Sequence, residues 1–95
     1  GKAMDRQKLG KQQFNPALEL EECGELEGAA TAYGMAVEWT PKYTDAWYNM
    51  GLANEKLERY EEAMKCYDKA LELEGDKDVW EEFFKKEEEE EDMDR

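Results

Sequence analysis

Histidine is missing altogether from this chain of 95 residues, and with it goes the side chain most used as general base, nucleophile activator and zinc ligand. The sequence also has no glycine-rich phosphate loop, no nucleophile elbow and no metal-ligand spacing. Catalysis, a cofactor and a bound metal are therefore not expected. No stretch approaches the roughly 20 apolar residues that span a bilayer, and no signal-peptide apolar core follows the basic N-terminal residues. Proline occurs only twice, as Pro16 and Pro41. Cysteine is limited to Cys23 and Cys66. Both fall within helical pattern and read as small core residues of a reducing compartment, not as a disulfide framework. A cytoplasmic location is the expectation.

Charge is abundant. Charged residues make up 41% of the chain and hydrophobic residues 40%. The charged share is far above the usual quarter and points to solvent-rich helices. The net charge is -13, but it is unevenly spread. Residues 1–13 hold Lys2, Arg6, Lys8 and Lys11 against Asp5 alone, so the acidity belongs to the rest of the chain. Such a surface repels a phosphate backbone and an anionic membrane and favours basic partners. Neither nucleic acid nor membrane is an expected partner.

The chain also repeats itself. An offset of 34 residues pairs Asn15 with Asn49, Leu18 with Leu52, Glu27 with Glu61, Ala29 with Ala63, Tyr33 with Tyr67, Ala36 with Ala70 and Glu38 with Glu72. The downstream copy is the more regular. Thr44 or Asp45 is a plausible N-cap, and Ala46, Trp47, Met50, Gly51, Ala53, Asn54 and Leu57 form one amphipathic stripe. A break at Glu58-Arg59 leads to Tyr60, Ala63, Met64, Tyr67, Ala70 and Leu71, and Gly75 ends the run as a C′ glycine would. Two such helices joined by so short a turn must lie antiparallel.

The upstream copy is less orderly. Leu26, Ala29, Ala30, Tyr33, Ala36 and Val37 give a good second helix, although Gly28 and Gly34 weaken it by roughly 1 kcal/mol each. Asn15-Pro16 would more naturally start a helix than interrupt one. Two readings stay open: a short helix over about 16–23, or a longer one from about residue 5 kinked at Pro16. Residues 1–9 read as a flexible basic segment or a remnant of expression. After Gly75, the apolar residues Val79, Trp80, Phe83 and Phe84 fit one helical stripe, and residues 87–95 read as a frayed helix end or disordered acidic tail.

Residues 44–77 closely resemble the tetratricopeptide repeat (TPR). Its signature, W-x2-L-G-x2-Y then A-x3-F, A and P, is met by Trp47, Met50, Gly51, Asn54, Ala63, Tyr67, Ala70 and Gly75. Asn54 replaces an aromatic and Gly75 a proline. Residues 10–43 keep Ala17, Ala29, Tyr33, Ala36 and Pro41 but have Gln13 where the tryptophan belongs. The resemblance implies an all-α solenoid of antiparallel hairpins with a right-handed superhelix. It divides into one repeat over 10–43, a second over 44–77, a capping helix over 78–90 and an acidic tail over 91–95. On this reading Trp47, Tyr60, Tyr67 and Trp80 are core.

The resemblance also implies a site, because the first helix of each hairpin lines a concave groove. By position this face comprises Lys11, Phe14, Leu18, Glu21 and Glu22, then Asp45, Tyr48, Leu52, Glu55 and Lys56, with Lys42 and Tyr43 at the joint. Tyr48 and Leu52 lie one turn apart and off the packing stripe, which independently turns them outward. Acids around apolar residues suit a peptide or helix carrying Leu or Phe with Lys or Arg. The positions that grip a C-terminal carboxylate in chaperone-binding relatives hold Phe14, Leu18, Asn49, Val79 and Phe83, of which only the asparagine fits. That disfavours a heat-shock-chaperone role.

Other constellations fail on inspection. Asp76-x-Asp78 with Glu87 imitates a calcium loop, but Trp80 and Glu81 occupy places that need an oxygen ligand and a turn glycine. Glu21-Glu22 and the acids from Glu87 to Asp92 read as solvated surface. The expected function is a non-catalytic adaptor that binds another protein. The alternative is a self-assembling module, a homo-oligomer or a piece of a longer array, since two repeats are fewer than a stable solenoid usually needs.

Overall fold

The computed structural model describes residues 2–75. Four helices follow one another: α1 (Lys2–Glu22), α2 (Leu26–Trp39), α3 (Thr44–Lys56) and α4 (Tyr60–Glu74). They form an all-α stack in which α1 packs on α2, α3 on α4, and α2 on α3. Each hairpin closes through the same turn. Gly24 N–H donates to the Glu21 carbonyl and Glu25 N–H to that of Leu20; 34 residues on, Glu58 N–H donates to Glu55 and Arg59 N–H to Asn54. This paired closure requires a left-handed residue, supplied by Gly24 (φ 82) and by Glu58 (φ 64). Glycine adopts that conformation freely, whereas a side chain there costs on the order of 1 kcal/mol.

The core is made of small residues with one large one among them. Ala17, Ala29, Tyr33, Ala36 and Ala46 are fully buried, and Val37 nearly so. Phe14, Leu18, Leu20, Ala32, Tyr43, Trp47 and Met50 pack around them. Ala53, Ala63, Cys66 and Ala70 carry the buried surface into the second hairpin. Alanines at these places let the backbones approach, and Tyr33 fills the space beside them. Gly51 has the same role, since a methyl there would lie 2.6 Å from the Tyr67 ring. Buried Asn54 meets Cys66, its Nδ2 donating to Sγ at 3.9 Å.

Several expectations are corrected. α1 begins at Lys2, so the longer of the two readings of the first helix holds and residues 2–9 are helical, not flexible. Pro16 sits inside α1; it removes one N–H donor, yet Ala17 beside it is wholly buried and tertiary packing outweighs the proline penalty. Gly10 lets the overhanging N-terminal half rest on the end of α2: Thr40 Oγ1 donates to the Arg6 carbonyl at 2.7 Å. At α3, Tyr43 is the cap position and makes no side-chain cap bond, so neither Thr44 nor Asp45 caps it. Gly75 ends α4 with φ -77, not in the left-handed region. Cys66 is buried, but Cys23 is exposed because it falls in the turn after α1. Tyr60 is 58% and Met64 64% exposed, against the core role expected of Tyr60. They stand on the end face of the stack, where no further hairpin covers them among the described residues. Trp80, the capping segment 78–90 and the acidic tail lie outside the described residues.

Candidate protein-binding groove

Helix periodicity places Asp45, Tyr48, Leu52 and Glu55 on one face of α3. They line a single open cavity of about 640 Å3, completed by Thr44 and by Tyr67, Ala70, Leu71 and Glu74 of α4 with its end. Its floor is apolar and its rim carries Asp45, Glu55 and Glu74, with no cation lining it among the described residues. Tyr48 is 52% exposed, and its ring lies 5.6 Å from that of Tyr67 in a tilted pair. Tyr67 O–H donates to Glu55 Oε2 at 3.0 Å, which ties the cavity's two walls together. Burial, the accepting carboxylate and its charge push the Tyr67 phenol up to about 12, so the hydroxyl remains a donor at neutral pH.

The same latch occurs one repeat earlier, where Tyr33 O–H donates to Glu21 Oε2 at 2.8 Å. Burial, helped by Glu21, raises the Tyr33 phenol well above its usual value. Here the surroundings differ. Phe14 is wedged against Tyr33 and Tyr43, with ring centroids 5.6 and 4.8 Å away, and Leu18 packs on the core cluster. Both are half-buried packing residues, and neither lines the cavity. Burial, with the nearby Asp45 charge, raises the Tyr43 phenol too.

A second, smaller depression adjoins the first through Thr44 and Asp45 and is walled by Gln7, Lys11, Thr40, Lys42 and Tyr43. The groove thus runs from a basic end on α1 to an acidic end on α4. Glu22 and Lys56 are exposed but line neither depression. Sequence reasoning missed the α4 wall. Tyr67 read as core from its place in the repeat signature, and Ala70, which lines the cavity, is itself buried.

The tetratricopeptide-repeat family model matches residues 44–77, and a second model, described as a TPR repeat, matches residues 17–58. The chain belongs to the tetratricopeptide-repeat family. Such repeats are protein–protein interaction modules, and the two matches together run over residues 17–77. It is 38% identical over 61 residues to an uncharacterized protein of Methanocaldococcus jannaschii, a match covering 64% of this chain and 71% of the relative. It is 36% identical over 61 residues to the heat-shock protein cognate co-chaperone sgt12 of Aspergillus fumigatus, covering 64% of this chain and 18% of that protein. The chain therefore spans under a fifth of the co-chaperone. No helix among the described residues is long and apolar enough to cross a membrane. No three potential ligands cluster as a metal site among them either.

Proposed function

We propose that this TPR protein is a non-catalytic cytoplasmic adaptor that takes a peptide or helix of another protein into the groove along α1 and α3. One observation carries the reading: Asp45, Tyr48, Leu52 and Glu55 share an open cavity with an apolar floor and an acidic rim. Leucine or phenylalanine of a partner gains about 25 cal/mol for each Å2 of apolar surface withdrawn from water. Lysine or arginine beside it meets Asp45, Glu55 or Glu74, each exposed pair adding about 0.2–1 kcal/mol and less at high salt. The chain's acidity disfavours nucleic acid and anionic membranes as partners.

The similarity to a co-chaperone supports a protein partner without supplying its identity. Phe14 and Leu18 offer no cation to a terminal carboxylate. The test is capture of a synthetic amphipathic peptide carrying leucine and lysine on one helical face. Tyr48→Ala with Leu52→Ala should abolish binding while the helical spectrum persists. Unchanged capture by that folded variant refutes the groove.

A second reading is self-association, favoured by Tyr60 and Met64 standing exposed on the end face of α4. Sedimentation across a wide concentration range distinguishes the two. A monomer at every concentration removes self-association, and a dimer disrupted by Tyr60→Ser with Met64→Ser supports it.

A further inference from the structure

The groove complements itself when turned end for end. Its α4 end is acidic, with Asp45, Glu55 and Glu74 around an apolar floor. Its other end is α1, where residues 2–11 hold Lys2, Arg6, Lys8 and Lys11 against Asp5 alone. All four cations are exposed, and none forms an ion pair among the described residues. By contrast, Arg59, Lys65 and Lys69 pair with Glu27, Glu62 and Glu72. The cations of α1 are thus left for an acidic surface elsewhere.

The same helix carries the apolar contact that the cavity takes. Met4, Lys8 and Lys11 recur at helical spacing on one face and border one depression with Asp5 and Gln7. Met4 is 73% exposed, and its unbranched thioether adapts to an irregular hollow. At about 1.5 Å per residue the stripe is about 10 Å long and the α3 wall from Asp45 to Glu55 about 15 Å. The cavity therefore accommodates it lengthwise. It cannot be the cavity of the same chain. Thr40 Oγ1 donates to the Arg6 carbonyl and holds α1 against the end of α2, and no α1 residue lines the cavity. The matching surface is that of a second copy.

We propose that two copies of this chain pair reciprocally, Met4, Lys8 and Lys11 of each entering the apolar, acid-rimmed cavity of the other. Antiparallel pairing sets both basic ends on both acidic ends at once, which is the self-complementary contact of a two-fold dimer. The net charge of -13 opposes the approach of two copies. At physiological salt, however, exposed charges more than about 8 Å apart are largely screened, and those in contact much less so. The pair uses neither Tyr60 nor Met64, so it is distinct from association through the end face of α4. It rests on the groove as the proposed function reads it, and it makes a second copy the competitor of a partner peptide.

The test is sedimentation of the full chain up to millimolar concentration in physiological salt, beside two variants whose helical spectra are unchanged. Met4→Glu with Lys8→Glu removes the α1 contact and keeps the cavity; Tyr48→Ala with Leu52→Ala does the reverse. The unmodified chain should reach the mass of two chains and no more. Either variant alone should stay monomeric, because each of its pairs has lost both contacts. Their equimolar mixture retains one contact of the two and should dimerise, at higher concentration than the unmodified chain. A monomeric unmodified chain overturns the proposal. So does a dimer that survives in either variant alone, or a mixture no heavier than its components. Capture of the leucine–lysine peptide by the Met4→Glu, Lys8→Glu variant reads the groove separately: binding there beside a monomeric unmodified chain removes the pair and leaves the proposed function standing.

Discussion

Replacing a helical glycine by alanine ordinarily stabilises a protein by up to about 1 kcal/mol, and in this chain the same change should act with opposite signs at two sites. Gly28 of α2 has open room, since an added methyl meets only the Leu20 methyls, at 3.4 and 3.7 Å. Gly28→Ala should gain about 0.5–1 kcal/mol. At Gly10 the methyl would collide with Thr40 Oγ1 and lie 2.8 Å from Thr40 Cβ and 3.1 Å from the Ala36 carbonyl oxygen. Turning the threonine side chain relieves only the first contact, because Cβ and the carbonyl are fixed by backbone. Overpacking of this kind costs about 1–3 kcal/mol, and loss of the Thr40–Arg6 bond adds about 0.5–1.5. The gain in propensity offsets about 1 of these. Gly10→Ala should therefore lose about 0.5–3.5 kcal/mol. At about 4–8 °C per kcal/mol for a domain of this size, calorimetry should show Gly28→Ala melting a few degrees higher and Gly10→Ala at least about 2 °C lower. Equal rises in Tm would refute the reasoning, because they would mean that α1 does not rest on Thr40.

The same geometry yields further expected outcomes. Glu58→Gly should stabilise by about 1 kcal/mol by relieving the left-handed residue, and Gly24→Ala should destabilise similarly; denaturant midpoints check both. Tyr33→Phe breaks the latch to Glu21 and should cost about 0.5–1.5 kcal/mol, read from the same curves. The raised phenol of Tyr67, from 10.0 to about 12, contributes to alkaline sensitivity along with those of Tyr33 and Tyr43. Below pH 10 both folded and unfolded forms are protonated and its contribution is complete. Above pH 10 the unfolded chain ionises first, so stability should fall as pH rises toward 12, and less so in Tyr67→Phe.

The second repeat was the more legible because its pattern is local. Apolar spacing gives α3 and α4, and the break at Glu58-Arg59 gives the turn. The first repeat was harder at Asn15-Pro16, where local preference says start and burial of Ala17 says continue. Nothing near Gly10 in sequence announces Thr40, which lies 30 residues away along the chain. The α3 lining of the cavity was legible because position within the repeat dictates which face of the first helix turns away from the core. Its α4 wall was not, since Tyr67 and Leu71 are core or surface according to whether a further helix packs on them.

The central claim is that the acidic, apolar cavity of the second repeat binds a partner. Isothermal titration of the full chain with the leucine–lysine peptide, at low and at physiological salt, tests it most directly. The account predicts saturable binding that weakens with salt and disappears in the folded Tyr48→Ala, Leu52→Ala variant. Binding of equal strength to that variant, or no binding even at low salt, would contradict it.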